Sequence, residues 1–501
     1  MFAGNAPGAN VRHREQGQTI MAQNRTYDEL AIGETASLTR VLRANDLFVF
    51  AHASGNINPV HIPDIDWTGD GKKDDPVAPS MWVGSLISSV LGNVLPGPGT
   101  VYRKQTFNFR APVHLGDKLT ASATVSAKEA DGVVRLDTQV TRSDGTVIAD
   151  GEAVVVAPST RITFDASILP GILVERHQHF DRLTELLRPL PPLPVAVVAP
   201  DDANSLGGAL LAAREGLIAP ILVGNAAAIV AAADSLGADL GEIEIIDVDS
   251  DEQAAAKGVA LVHEGRARAL MKGHLHTDVL LRHIVKRDGG LRTGKRLSHC
   301  FVMDIPGRPS PVIISDAAIN IAPDLAAKVD IVQNAIDMGR ALGIKTPKVG
   351  ILSAIETVNP AMPSTLDAAV LSKMAERGQI TGGIVDGPLA MDNAIDVQAA
   401  KTKGITSLVA GRADVLIAPN LEAGNMLAKE LTFIAHAEAA GLVIGASVPV
   451  ILTSRADDAR SRLASCTLAL LYDHWRRNGE ALAPFEAAEL EGDADGTEHG
   501  T

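Results

Sequence analysis

The chain has 501 residues, more than one ordinary core accommodates, so two or three domains are expected. Its 46% hydrophobic and 21% charged composition is that of a soluble globular protein. A net charge of −15 and 3% aromatic residues argue against nucleic acid or an anionic membrane surface as partner, and no apolar run reaches membrane-spanning length.

Residues 1–25 lack the apolar core of a signal peptide and read as a flexible start, which makes the cytoplasm the expected compartment. Residues 26–158 form one compositional unit. Residues 47–61, LFVFAHASGNINPVH, read as a helix running into a polar turn. Over 81–95, Met81, Val83, Leu86, Ile87, Val90, Leu91 and Val94 recur at three- and four-residue steps, with Gly84, Ser85, Ser88, Ser89 and Gly92 between them. That spacing predicts a helix packed closely inside something. Residues 102–109, 118–128, 133–142 and 146–156 alternate as strands, with hairpin turns at Asp131-Gly132 and Asp144-Gly145. An antiparallel sheet wrapped around one long apolar helix is the expected result.

Residues 159–194 read as a connector, with an amphipathic helix over 173–187 and a stiff proline cluster, PLPPLP, at its end. From Val195 the pattern changes to short apolar strands alternating with helices. Candidate strands are PVAVVAP, APILVG, IEIID, ARALMKG, PVIISD, KVGILSA, GIVDGPL, DVLIAP and VPVILTS; helices are expected at 205–215 and 324–342. This predicts a mainly parallel, doubly wound α/β unit over 195–483, long enough for two lobes: about 195–305 with 442–480, and about 306–441. Residues 484–501 are acidic and glycine-rich and are expected to be disordered.

Several motifs fail on inspection. GGLRTGKR at 289–296 lacks the hydroxyl residue that a P-loop places after its lysine, and it follows a helix rather than a strand. There is no GxGxxG and no GxSxG. Cys300 and Cys466 make no disulfide framework and no zinc pattern, and Cys300 reads as a small buried residue before it reads as a nucleophile. His274 and His276, two apart, have poor helical ligand spacing, so no metal is expected.

Polar residues instead recur at predicted strand ends. They are Lys272, His274, Thr277 and Arg282 in MKGHLHTDVLLR, Ser298 in LSHC, Asp316 and Asn320 in SDAAIN, and Asn334 in QNAID. Ser353 and Glu356 in LSAIE, Asp386 in DGPLAMDNA, Asn425 in EAGNMLAK, and Ser454 with Arg455 in VPVILTSRADD continue the series. Any one of these is commonly a cap or a turn. Together, at successive carboxyl ends of a doubly wound sheet, they are expected to converge on one cleft. Arginine is the residue that grips phosphate or carboxylate with a planar fork.

The phrases MKGHLHTD, SDAAINIAPDL, VQNAI, LSAIE, DGPLAMDNAI, AGNMLAK and SRAD resemble the phosphate acyltransferases, the family of phosphotransacetylase and phosphate butyryltransferase, over 195–476. The resemblance implies reversible acyl transfer between coenzyme A and inorganic phosphate by a two-lobed, usually dimeric α/β subunit. Coenzyme A is then a substrate, and no tightly bound cofactor or metal is needed. It implies that Ser454 and Arg455 sit at the reacting centre, Arg455 on phosphate and Ser454 on the thiol sulfur or carbonyl oxygen, with Arg282 a second anion clamp. The family's candidate base falls here on Ser461, which leaves Asp458 or Asp457 for that role and a helix N-cap as the alternative. SDAAINIAPDL and DGPLAMDNA look closer to the butyryl branch.

The wrapped helix, SGNINPVH and FRAPVHLGD resemble the MaoC-like hot-dog family, which includes (R)-specific enoyl-CoA hydratases, over about 27–156. There the catalytic pair is an Asp, where this chain has Asn56, and the His matching His61. An amide cannot take a proton from water as a carboxylate does, so a strong loss of hydration is expected. Three readings stay open: weak hydration by His61 alone, acyl-CoA or pantetheine binding, and oligomerisation. The rivals to acyl transfer are enoyl-CoA hydration as a second or main activity and a CoA-binding scaffold.

Overall fold

The computed structural model describes residues 21–70, 72–165, 168, 172, 174, 177, 179–452 and 458–484. The chain divides into two units, Met1–Val174 and Glu175–Thr501. Among the described residues no helix is long and apolar enough to cross a membrane.

The first unit runs β1 (Met21–Gln23), β2 (Thr35–Val41), α1 (Ala44–Ser54), α2 (Ser80–Asn93), β3 (Val101–Gln105), β4 (Asn108–Phe109), β5 (Lys118–Lys128), β6 (Val133–Arg142), β7 (Val147–Val156) and β8 (Thr163–Asp165). β1 and β8 form a separate antiparallel ribbon, and the main antiparallel sheet has the order β2-β5-β6-β7-β3, with β4 also on β7. Strand alternation does what period two requires. Leu119, Ala121, Ala123 and Val125 of β5, with Val134, Leu136 and Val140 of β6, face inward onto Ile87, Val90 and Leu91 of α2. The β5–β6 turn places Asp131 and Gly132 in the left-handed region, at φ 57° and 73°, as a tight Asp-Gly hairpin demands.

Over 47–61 the helix does run into a polar turn: it ends at Ser54, where Gly55 caps it with φ 71°, and Pro59–His61 forms a 3-10 turn. One expectation needs correction here. The strand over 102–109 is broken at 106–107, where the chain crosses so close to Gly151 that a Cβ there would lie 1.8 Å from the Thr106 carbonyl oxygen.

The second unit runs α3 (His179–Leu187), β9 (Leu193–Val198), α4 (Ala203–Arg214), β10 (Ile218–Gly224), α5 (Ala226–Ser235), β11 (Ile245–Asp247), α6 (Asp251–His263), β12 (Ala269–Lys272), α7 (Thr277–Ile284), β13 (Ser298–Asp304), β14 (Val312–Ser315) and α8 (Leu325–Ala341). It continues with β15 (Lys348–Leu352), α9 (Pro363–Glu376), β16 (Ile384–Leu389), α10 (Met391–Ile395), α11 (Val397–Thr402), β17 (Val415–Ile417), α12 (Leu421–Phe433), β18 (Glu438–Ile444), β19 (Val450–Ile451) and α13 (Ala459–Asn478). All its strands join one 11-stranded sheet, β11-β10-β9-β12-β19-β18-β13-β14-β17-β15-β16. One core packs α3, α4, α5, α8, α9 and α13 on the sheet; two others pack α6 with α7, and α10 to α12. Helices therefore cover both faces, as doubly wound sheets require.

Phe180, Leu183 and Leu187 of α3 belong to the main core, and Pro194 lies within β9. The amphipathic helix of the expected connector is thus a packed element, because its apolar face is one that water would not accommodate, while of the proline cluster only Leu193 and Pro194 enter the sheet.

β13 and β18 are not among the strands expected from the sequence, and these two decide the topology. β11, β10, β9, β12 and β19 are mutually parallel, and so are β14, β17, β15 and β16. β18 is antiparallel to β19, β13 to β18, and β14 to β13. The two parallel blocks therefore run in opposite directions, so their carboxyl ends do not share one edge of the sheet. Register brings those ends together instead. Met271 is level with Ile451, Ile451 with Leu442, Leu442 with Cys300, and at the next pair over Phe301 is level with Ile314, so Ser315 follows level with Cys300. Ser315 in turn is level with Ile417, and Ile417 with Ile351. Strands of both blocks end in or next to this one row.

Leu91 is fully buried beneath the first unit's sheet. Leu91→Ala is expected to lower this unit's unfolding free energy by about 2–5 kcal/mol, measured by urea denaturation of the full chain carrying Trp67→Phe and Trp475→Phe, so that the fluorescence of Trp82, buried in the same core, is the reporter.

Candidate active site

The residues flanking the row through Cys300 carry most of the polar groups singled out in the sequence. Asp316 follows β14 and is 2% exposed. Its Oδ1 accepts from the backbone N–H groups of His299 (3.2 Å), Ala318 (3.0 Å) and Ile319 (3.2 Å), and its Oδ2 from the Asn320 N–H (2.9 Å) and side-chain amide. A buried carboxylate needs such donors, since an unpaired one is strongly disfavoured away from water. The Asn320 amide also donates to the Leu297 carbonyl at 2.9 Å. Asn334 of α8 donates to Ser298 Oγ (2.9 Å) and to the Arg296 carbonyl (3.0 Å). Asn425 of α12 donates to the Ala317 carbonyl at 3.1 Å. Ser298, Asp316, Asn320, Asn334 and Asn425 are thus knit into one network at the start of β13 and the end of β14.

Lys272 and His274 lie across the sheet at the end of β12. The Lys272 ammonium is buried and donates to the Gly273 carbonyl at 3.2 Å. His274 is exposed and meets Asp201 at 3.2 Å, and Thr277 opens α7. Arg282 is apart from these groups. Its guanidinium holds Glu252 (2.7 Å) and Asp278 (3.1 Å) on the surface. Asp386 lies within β16, accepting from the Gly387 N–H at 2.8 Å, and is not linked to the Asp316 network by a described hydrogen bond. Ser353 bonds the Ser364 hydroxyl at 2.8 Å, and Glu356 is paired with Lys403 at 2.9 Å. The hydrogen bond from Lys403 holds the Glu356 carboxyl below its usual range.

Ser454, Arg455 and Asp457 lie outside the described residues. Asp458 is the N-cap of α13, its Oδ1 accepting from the Ser461 N–H at 2.8 Å. That is the capping alternative named above, and it leaves the second carboxylate oxygen for other partners.

His299 and Cys300, next to Ser298, are fully buried. His299 is not among the candidates drawn from the sequence, where its only signal is a histidine inside an apolar strand beside a polar cluster. Burial pulls its imidazole down to about 4, against the opposing attraction of Asp316, so the ring is neutral near pH 7. A pocket of about 300 Å³ beside the ends of β15 and β17 is lined by Leu352, Ser353, Ala354, Met391, Pro419, Ala423 and Leu427.

Two groups could offer three ligand atoms to a cation: His177 with Asp304 and Glu438, and Asp201 with Asp202 and His274. In the first, Arg460 pairs with Glu438 at 2.8 Å; in the second, Asp202 caps α4. Both sets of contacts make structural sense without an ion.

In the first unit, Asn56 is exposed; its Oδ1 accepts from the Asn58 N–H at 3.3 Å. His61 is half-buried with Nδ1 2.7 Å from the Val77 carbonyl. A carbonyl only accepts, so the neutral ring carries its proton on Nδ1 and leaves Nε2 as a base. A cavity of about 380 Å³ lies between α2 and β3, with Met81, Gly84, Ser88, Tyr102 and Phe107 in its wall. Its described lining does not include Asn56 or His61.

Burial pushes both thiols, Cys300 and Cys466, up to about 12. Neither is expected to react with a disulfide reagent in the native enzyme at pH 8, whereas both react in urea, as a colorimetric thiol titration will show. The native thiols hold protons that the unfolded ones release above about pH 8.5. This contribution to stability is therefore complete below that pH and declines as pH rises toward 12.

Residues 252–470 match the family model described as Phosphate acetyl/butaryl transferase, and residues 5–145 match that of the MaoC like domain. A phosphate acetyltransferase of Rhizobium meliloti is 57% identical over 304 residues, covering 61% of this chain and 96% of that protein. A phosphate butyryltransferase of Clostridium acetobutylicum is 43% identical over 277 residues, covering 55% and 92%. A solved phosphotransacetylase of Streptococcus pyogenes aligns over 60% of this chain and 99% of its own, at 21% identity and a TM-score of 0.52, a likeness of fold. With relatives of this identity matched over nearly their whole length, the chain belongs to the phosphate acetyl/butaryl transferase family.

Proposed function

We propose that this chain reversibly transfers a short acyl group between coenzyme A and inorganic phosphate, through residues 195–483, and that residues 26–158 form a hot-dog domain that binds acyl-CoA or mediates oligomerisation. The observation that carries the reading is the Asp316 network, lying where strands of two opposed blocks end level with each other. It gathers five of the polar residues singled out in the family-like segments.

The chemistry asks for positioning and charge, not for a redox group. The thiolate of coenzyme A attacks the carbonyl carbon of an acyl phosphate, a C–S bond forms, and the C–O bond to phosphate breaks; the reverse step exchanges nucleophile and leaving group. Holding the two reactants in line and stabilising the tetrahedral oxyanion are the dominant contributions. In this reading Arg455 neutralises phosphate through its two-pronged fork, and Ser454 hydrogen-bonds the sulfur or the carbonyl oxygen. Asp458 accepts the thiol proton through the carboxylate oxygen that does not cap α13. The two buried thiols are protonated and unsuited to nucleophilic catalysis, which favours direct transfer. Lys272 supplies positive charge at the end of β12 within an acidic protein, and His274 stands beside it as a hydrogen-bonding side chain. An acyl-phosphate-consuming kinase is the enzyme expected beside it.

The test is release of free thiol from acetyl-CoA or butyryl-CoA with and without phosphate. Phosphate-dependent release is expected, with Arg455→Ala reducing kcat/KM by about 10²-fold or more; the better substrate gives the acyl preference. Release independent of phosphate, or none with either thioester, would overturn the reading. For the first unit, the same protein is expected to hydrate a trans-2-enoyl-CoA poorly, and Asn56→Asp to raise that rate by about 10²-fold or more, since a general base contributes on that scale. An Asn56→Asp variant no faster than the parent would place the domain outside catalysis altogether.

A further inference from the structure

The side chain of His299 crosses a neighbouring strand. β13 and β19 are separated in the sheet by β18. Gly441 of β18 stands level with Phe301 on one side and, one residue past the Leu442–Ile451 pair, with Leu452 on the other. A Cβ on Gly441 would lie 2.8 Å from His299 Nε2 and 3.0 Å from the Leu452 carbonyl oxygen. The imidazole therefore passes over the bare Cα of Gly441, with Nε2 turned toward the Leu452 carbonyl oxygen. The other ring nitrogen, Nδ1, is buried without a hydrogen-bond partner. An unmatched buried nitrogen is unfavourable, and a leucine would fill the same space without it. What the histidine supplies and a leucine does not is the Nε2–H.

Leu452 is the last described residue before the stretch of sequence that contains Ser454 and Arg455. The backbone N–H of His299, meanwhile, donates to Asp316 Oδ1. One residue thus ties the exit of β19 to the network at the end of β14.

We propose that His299 is a positioning residue for acyl transfer, acting through the Leu452 carbonyl, with Gly441 kept bare so that the imidazole can reach it. The proposal rests on the reading that Ser454 and Arg455 carry the chemistry.

The experiment compares wild type with His299→Leu, His299→Gln and Gly441→Ala in the phosphate-dependent thiol-release assay, with thermal unfolding of each. His299→Leu is expected to lower kcat at least tenfold with KM for acyl-CoA and phosphate changed less than twofold. His299→Gln, whose amide nitrogen reaches the place of Nε2, is expected to recover at least a third of wild-type kcat. Gly441→Ala, which displaces the ring while leaving it in the chain, should reproduce the loss in kcat. Wild-type kcat in His299→Leu would overturn the proposal. So would equal losses in the Leu and Gln variants, because a structural role would account for both. A wild-type enzyme without phosphate-dependent release would instead remove the underlying reading, and this inference with it.

Discussion

The antiparallel pair β13–β18 is the constraint on which the second unit depends. Hydrogen-bond register allows no half steps, so once Cys300 is level with Leu442, the ends of β12, β19, β14, β17 and β15 are all set relative to one another. Two parallel blocks of opposite direction would otherwise present their loops at opposite edges of the sheet. The shared row makes them meet near its middle. Lys272 follows that row from one block and Asp316 from the other.

What accumulates there is a set of polar groups bonded mostly to backbone. The Asp316 carboxylate takes four N–H groups and one amide, and Asn320, Asn334 and Asn425 each tie a side chain to a carbonyl on another segment. In a medium of low dielectric such a network is stiff, since breaking any bond exposes a group with no water to replace it. Stiffness is what a direct transfer between two anionic substrates requires, because its rate depends on holding nucleophile and carbonyl in line. The protein's overall charge of −15 makes local cations and N–H donors the means of holding phosphate.

The first unit rests on a different device: close packing around one helix. Gly84 lets Phe107 approach α2, since a Cβ there would lie 2.9 Å from the ring, and Gly151 lets the strand crossing over β7 come within contact distance. Asn56 and His61 lie in the segment between α1 and α2, and the residue at 56 is an amide, which does not accept a proton from water as a carboxylate does.

Much of this was legible in the chain. Period two over 118–128 and 133–142, period 3.6 over 81–95 and the Asp-Gly turns determined the first unit's elements, because those patterns are dictated by local backbone geometry. The long ordered phrases carried the family. β13 and β18 were not legible: LSHC and EAAGLVI have the apolar content of a buried strand but no alternation, and direction is not written in a strand's own residues. For the same reason the sequence predicted strand carboxyl ends sharing one cleft, where the fold uses opposed blocks in register. The ion pair of Arg282 with Glu252 was not legible either, because the two lie 30 residues apart in the chain. His299 and Gly441 have no sequence relation at all; only the order of strands in the sheet, a long-range property, sets one over the other.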